Sequence, residues 1–270
     1  MKPIVTLAST TTPDGQTLSL CQHDSDFMIR LGRDELMSSR HFASEQALGQ
    51  LGCERLAHRP EPAVLIGGLG MGYTLRTALD TLPPTATVVV AEFLPAVVEW
   101  NRNFLGELAG YPLQDRRVTV MAEDVFRIIR TSPDRFDAIL LDVDNGPHAM
   151  TSAANHRLYG PHGIDATLDA LRGEGCLSIW SATRDLAFER RLHYASLRFR
   201  TYCLPAYPNS RSKPHRVWVI SRSAGSLPKA PAAPVRPLPS PSHPAPRWRG
   251  RFHRKSHGPS HSTGHDSQGL

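Results

Sequence analysis

What the 270-residue sequence lacks narrows its class before any motif is read. There are four cysteines, Cys21, Cys53, Cys176 and Cys203, with no CxxC pair and no histidine at zinc-ligand spacing. That scatter excludes a disulfide scaffold or zinc ribbon, and buried free thiols in a reducing compartment are expected, with no metal. No stretch approaches the roughly 20 apolar residues of a membrane span. The opening "MKPIVTLASTTTPDG" has too short an apolar run for a signal peptide, so a cytoplasmic protein with no membrane partner is expected. Acids are almost absent beyond Ser221: eight of the 31 Lys and Arg follow it, but only Asp266 of the 25 acids. The net charge of +6 therefore belongs to the last segment, and the first 221 residues are close to neutral. Basicity is then no evidence for a nucleic-acid ligand of the folded part.

Residues 223–270 are dominated by Pro, Ser, His and Arg, with too few aliphatic side chains to offset ordering, and a disordered tail is expected there. Its "RWRGRFHRK" cluster has the composition to touch nucleic acid or an acidic surface, but a solvated tail without specific function is the favoured reading. Residues 1–58 read as a small domain of short strands, "IVTLAST", "TLSLCQ" and "DFMIRLG", followed by a helix within "SSRHFASEQALGQLGCERLAHR". The serines there are available as caps, and Ala47, Leu48 and Leu51 share a helical face. Residues 59–222 change to strand–helix alternation. Candidate strands are "AVLIG", "ATVVVAE", "RVTVM", "FDAILLD", "GCLSIWS", "RTYCLPA" and "HRVWVIS"; several are continuous apolar runs suited to strands covered on both faces. Helices are expected in "MGYTLRTALDTL", "PAVVEWNRNFL", "DVFRIIRT", "GIDATLDALRG" and "DLAFERRLHYASL". In the second, Pro95 suits the first helical position, and Val97, Trp100 and Phe104 recur at helical spacing. A doubly wound, Rossmann-like α/β sheet follows. No helix separates the last two strands, so the final one is expected to run antiparallel.

The most informative stretch is "VLIGGLGMGYTL". Gly68, Gly70 and Gly72 form GxGxG between a strand and a helix, where backbone amides can approach a ligand closely. The dinucleotide fingerprint needs a further glycine where Tyr73 stands, which disfavours a nicotinamide cofactor. Glu92 ends the second strand of the sheet, placed either to hold two ribose hydroxyls or as an ordinary strand-end acid. Asp124, after the third, either caps a helix or also meets an adenine amino group. Glycine turn, Glu and Asp on three successive strand ends together point to an adenosyl ligand. The fourth strand ends in Asp142, with Asp144 two residues on, and alternate residues of an extended chain share a face. An acidic rim at the ligand crevice suits a sulfonium co-substrate and an amine nucleophile, whose proton a carboxylate can accept.

From about Pro3 to Ser221 these segments resemble the polyamine (spermidine/spermine) synthases, aminopropyltransferases on the class I methyltransferase fold. The blocks carrying the resemblance are "VLIGGLGMGYTLRTAL", "AEFLPAVVEWNR", "DRRVTVMAEDVFRIIR" and "FDAILLDVDNGP", in family order. The resemblance implies that Gly68, Gly70 and Gly72 cradle the co-substrate, Glu92 holds the ribose, Asp124 the adenine end, and Asp142 is the catalytic base. It also implies S-adenosylmethionine or its decarboxylated form as co-substrate, a small-molecule amine as partner, and a homodimer.

The sequence departs from the family in three places. Met71 stands where the glycine loop carries an aspartate for the aminopropyl end. In "DVDNGP" the second aspartate of the family's segment falls on Asn145, with Asp144 one place earlier. "ASEQAL", around Ser44 and Glu45, replaces the Tyr–Gln/His–Glu segment of the amine pocket. Asp144 and Glu45 are the acids available to compensate for Met71. Aminopropyl transfer to a polyamine-type amine leads. Methyl transfer from S-adenosylmethionine to a small molecule and non-catalytic adenosyl binding remain open, and no specific nucleic acid is expected.

Overall fold

The computed structural model describes residues 3–143, 156–205 and 214–228. Four strands, β1 (Val5–Thr11), β2 (Thr17–His23), β3 (Asp26–Leu31) and β4 (Asp34–Ser38), form an antiparallel sheet in sequence order. β4 is the strand that pattern reading misses, because "DELMS" opens on two exposed acids and has no clean alternation. Helix α1 (Ala43–Cys53) follows. Its N-cap is Phe42, without a side-chain cap, so the serine capping expected from sequence does not occur. Ser44 instead lies inside the first turn and bonds elsewhere.

The second sheet has seven strands in the order β10-β11-β9-β8-β5-β6-β7. They are β5 (Ala63–Gly67), β6 (Thr87–Ala91), β7 (Val118–Met121), β8 (Phe136–Leu141), β9 (Leu171–Ser181), β10 (Arg198–Leu204) and β11 (His215–Ser221). The central strands pair in parallel, and β11 runs antiparallel to both neighbours, as the missing helix implied. β8 is buried at all six positions, the burial required of a strand covered on both faces. The helices are α2 (Tyr73–Thr81), α3 (Pro95–Trp100), α4 (Val125–Arg130), α5 (His156–Tyr159), α6 (Pro161–Ala170) and α7 (Leu186–Tyr194). No helix among the described residues is long and apolar enough to cross a membrane.

Two details depart from the sequence pattern. After α3 the chain widens into a π-helical turn, Asn101–Leu105, which shifts the phase of the apolar face. Val97 and Trp100 are buried, but Phe104 is rotated out and 40% exposed, while Asn101 turns inward. Three cysteines are buried as expected, but Cys203, on β10, is exposed.

The N-terminal sheet shares one apolar core with the large sheet: Leu18, Leu20 and Ile29 cluster with α1, α2 and the strands beneath them. Residues 223–228 also pack on this body, since Arg200 and Tyr202 both donate to the Pro228 carbonyl. The expected tail beyond lies outside the described residues. α1 and α2 approach so closely that a Cβ on Gly49 would lie 2.7 Å from the Thr74 carbonyl and 3.1 Å from the Ala78 nitrogen. Gly49→Ala should therefore force the two helices apart and destabilise the fold by about 1–3 kcal/mol. Urea unfolding checks this, and an unchanged midpoint would mean that the helices yield freely.

Candidate active site

β5 hands over to α2 through Gly68–Gly72, at the C-terminal edge of the parallel strands. β5 leads to β6 on one side and lies beside β8 on the other, so the sheet's topological switch falls here. Gly68, Gly70 and Gly72 all have positive φ (+87°, +51° and +86°), a conformation that side chains with a Cβ rarely adopt. At Gly68 the constraint is also steric, because a Cβ would fall 2.3 Å from the Asp142 carbonyl oxygen.

The loop is tied from three sides. The Gly68 N–H donates to the Ala91 carbonyl at 2.9 Å. The Leu69 N–H donates to Glu92 Oε2 at 2.9 Å, while Glu92 Oε1 accepts the Leu94 N–H at 2.8 Å. Asn101 Nδ2 donates to the Gly70 carbonyl at 2.8 Å and to the Val97 carbonyl at 2.9 Å. Glu92 is thus a buried brace for the glycine loop. Asn101, which sequence reading passed over, is a second brace aimed inward by the π turn.

Asp124 caps α4, accepting the Phe126 N–H at 2.9 Å, and pairs with Arg157 at 3.1 Å. The Arg157 guanidinium also lies over the Phe126 ring, 5.4 Å from its centroid. The capping reading is therefore what the geometry displays. Asp144 and Asn145 lie outside the described residues.

Asp142 follows β8 and is nearly buried, at 9% exposure. Thr74 Oγ1, in the first turn of α2, donates to its Oδ2 at 2.7 Å. Facing it is Glu45 of α1. The two acids line one pocket with Met37, Ser38, Leu69, Gly70, Met71 and Tyr73. Its walls are mainly apolar, and the N-terminal sheet supplies one of them through Met37 and Ser38. Tyr73, where a dinucleotide fold would need glycine, stacks on Phe42 with centroids 4.5 Å apart and planes 17° apart. The sequence-predicted acids Glu92 and Asp142 thus meet around the loop, whereas Asp124 belongs to α4.

Loss of hydration raises the Asp142 pKa to about 6, although the Thr74 hydrogen bond pulls the other way. Glu45 is pushed up further, to about 8, by loss of hydration first and the neighbouring Asp142 charge second. At neutral pH the pair holds a proton that water-exposed carboxylates would release. Ser44 Oγ donates to Glu45 Oε2 at 2.7 Å and lies 2.8 Å from His215 Nδ1, a contact between residues 171 apart in sequence. No local pattern announces such a pairing. Among the described residues no cluster of His, Cys, Asp and Glu is arranged to hold a metal ion.

An acid-lined pocket at the switch point of a seven-stranded, doubly wound sheet places the chain among α/β proteins of the methyltransferase-like fold class. Residues 42–209 match the family model described as the spermine/spermidine synthase domain, and the chain belongs to that family. It is 28% identical over 101 residues to the polyamine aminopropyltransferase of Saccharolobus solfataricus, covering 37% of this chain and 32% of that one. It is 31% identical over 131 residues to the polyamine aminopropyltransferase of Corynebacterium efficiens, covering 47% of this chain and 24% of that one. The matches thus span about a third or less of these relatives. Spermidine synthase bound to the transition-state analogue AdoDATO superposes with a TM-score of 0.65 at 20% identity, over 83% of this chain and 76% of that one. Spermidine synthase from Thermotoga maritima gives 0.62 at 18% identity over the same shares. These likenesses establish the fold.

The raised carboxyl pKa values carry a stability consequence whose sign is determined. Glu45 ionises at about 4.5 when unfolded and at about 8 in the pocket, so between these values the folded state binds more protons. Its contribution to stability must fall as pH rises from about 4.5 through about 8. Asp142 adds the same sign between about 3.8 and about 6. His215 is held below its ordinary value by burial and then by His41, and acts oppositely below about 6.5. Subtracting the urea-stability profile of Glu45→Gln from that of the native chain removes the histidine contribution. The difference should decline steadily from pH 6.5 to 8; a flat difference would place Glu45 in water.

Proposed function

We propose that this protein transfers the aminopropyl group of decarboxylated S-adenosylmethionine to an amine of the polyamine class. The observation that carries this reading is the pairing of Glu45 with Asp142 beside the glycine loop. Decarboxylation leaves the co-substrate with a propyl chain ending in an ammonium group. A pocket with apolar walls and two acids suits such a group: the walls take the methylenes and the carboxylates take the charge. Intact S-adenosylmethionine would bring a third carboxylate against that pair. One extra like charge at about 5 Å and an effective dielectric of about 20 costs on the order of 3 kcal/mol. Met71 leaves the loop without an acid, and Glu45, reaching in from α1, supplies the missing charge from another direction.

The assigned roles follow the geometry. Gly68, Gly70 and Gly72 give the adenosyl portion a backbone surface, kept in shape by Glu92 and Asn101. Glu92 and Asp124 stand at successive strand ends along the path proposed for the ribose and adenine. Asp142 is the base. The amine nitrogen forms a bond to the propyl carbon attached to sulfur, and the carbon–sulfur pair moves onto the sulfonium, which becomes a neutral thioether. The nitrogen's surplus proton passes to the Asp142 carboxylate, whose raised pKa brings its proton affinity closer to working pH than that of a solvated aspartate. Thr74 fixes the carboxylate during this exchange. Asp144 is proposed as a second catalytic acid, and the enzyme is proposed to be cytoplasmic and to act as a homodimer.

Two measurements test the reading. Calorimetric titration should give at least about tenfold tighter binding of decarboxylated than of intact S-adenosylmethionine, or about 1.4 kcal/mol. Glu45→Gln should shrink that preference. Equal or reversed preference would move the reaction to methyl transfer. Asp142→Asn should weaken binding of decarboxylated S-adenosylmethionine and also lower kcat by about 10²-fold or more at saturating co-substrate with 1,4-diaminobutane as acceptor. Full activity would remove Asp142 from the base role, and no turnover by the native chain with either co-substrate would make it a binding protein.

A further inference from the structure

Resting on the aminopropyl-transfer reading, we propose that Glu45, Ser44 and His215 form a proton relay that carries the proton released by the alkylated amine from the acid pocket to the sheet rim. The three groups form a continuous string. Ser44 Oγ is 2.7 Å from Glu45 Oε2 and 2.8 Å from His215 Nδ1, and Ser44 is fully buried. A serine hydroxyl gives one proton and accepts at two lone pairs, so the string has two complete arrangements. With Glu45 ionised, His215 Nδ1–H donates to Ser44 and Ser44 donates to the carboxylate. With Glu45 protonated, its O–H donates to Ser44 and Ser44 donates to Nδ1, the ring carrying its hydrogen on Nε2. Neither arrangement leaves a donor facing a donor.

Passing from one arrangement to the other moves a proton. The alkylated nitrogen loses its proton to the acid pair. Glu45 then hands a proton to Ser44 Oγ, Ser44 releases its own to Nδ1, and the half-buried imidazole gives up the proton on Nε2 to solvent water. One proton enters at the pocket and one leaves at the ring, with no net change of charge along the string. The starting arrangement returns when the ring exchanges tautomers and the hydroxyl rotates.

The surroundings favour passage over storage. His215 opens β11, half-buried and edge-on to Trp180, with ring centroids 5.0 Å apart at 79°. Loss of hydration and, second, the nearby His41 both oppose a lasting charge on the imidazole. Across β10 it pairs with the apolar Leu204, which offers no counter-charge. On the pocket side Glu45 faces Asp142 from the β8 tip and Tyr73 from α2. Both the Asp142 charge and loss of water favour its protonated form. A carboxyl that readily takes a proton is thus joined through one enclosed hydroxyl to a ring that keeps none.

The test begins on the full chain without ligand. With 15N-labelled histidine, the His215 ring signals should show a change of tautomer centred near pH 8, where Glu45 ionises, and Glu45→Gln and Ser44→Ala should abolish it. A single tautomer throughout pH 6–9 in the native chain would overturn the relay. The second readout is turnover of 1,4-diaminobutane with decarboxylated S-adenosylmethionine. His215→Ala should lower kcat about 10- to 100-fold with KM unchanged, and added imidazole should restore it. Calorimetric affinity for 5′-methylthioadenosine, equal to that of the native chain, shows that the variant's site is folded. Native kcat in a folded His215→Ala variant would overturn the proposal. If the native chain itself fails to transfer aminopropyl groups, that reading falls on its own, and the tautomer titration still decides whether Glu45 and His215 exchange a proton.

Discussion

Two carboxyl groups sharing one water-poor pocket cannot both ionise without repelling each other, and neither recovers the hydration it has lost. The structure nevertheless holds Glu45 and Asp142 together, and much of its architecture follows from doing so. Asp142 is carried to the rim by β8, whose residues are buried throughout, so the carboxylate cannot retreat into solvent without pulling on the core. Glu45 is brought opposite by α1, whose close contact with α2 exists only because residue 49 has no side chain. Thr74 stands between them, 2.7 Å from an Asp142 oxygen and 3.2 Å from the Glu45 backbone carbonyl. Apolar residues at these positions would make a more stable core. Retaining two acids makes physical sense where a cation completes the site.

The same constraint explains why the small N-terminal sheet is fused to the large one. Met37 and Ser38 close the pocket above the glycine loop, and Met37 Sδ would lie 3.0 Å from a Cβ at Gly70. A wall that close must be held to within a fraction of an ångström. The common core of β2, β3, α1 and α2 supplies that rigidity. The glycine loop is fixed as firmly from below, by Glu92 through an N–H and by Asn101 through a carbonyl. Its backbone therefore presents one shape in advance, and little ordering remains to be done when a ligand arrives.

How much of this was legible in the sequence depended on the range of the interaction. The strands of the large sheet were readable because "AVLIG", "TVVVA" and "FDAILL" are buried on both faces, which leaves an apolar run. The antiparallel β11 followed from a missing helix. β4 escaped because only one end of "DELMS" is well buried. Phe104 was misplaced because a π turn, invisible to a 3.6-residue period, changes the phase in mid-helix. Gly68, Glu92 and Asp142 were found at strand ends, where topology alone confers importance. Glu45 could be named as an available acid, but its position opposite Asp142 could not. The Ser44–His215 contact, 171 residues apart, had no local signature at all.

The substitution at Met71 gains its meaning from these contacts. Met71 is itself buried and lines the same pocket as Glu45, so in the proposed reading the charge enters that pocket from α1, beside a second carboxyl group. Loss of hydration and the neighbouring Asp142 charge favour the protonated form of Glu45, with its pKa pushed up to about 8. Under the proposed function, an ammonium bound there would lower that pKa and favour ionisation of the pair. In the proposed relay, the Ser44 hydroxyl and the His215 imidazole beside Glu45 are the groups in hydrogen-bond reach to carry the proton of the alkylated amine away from the pocket.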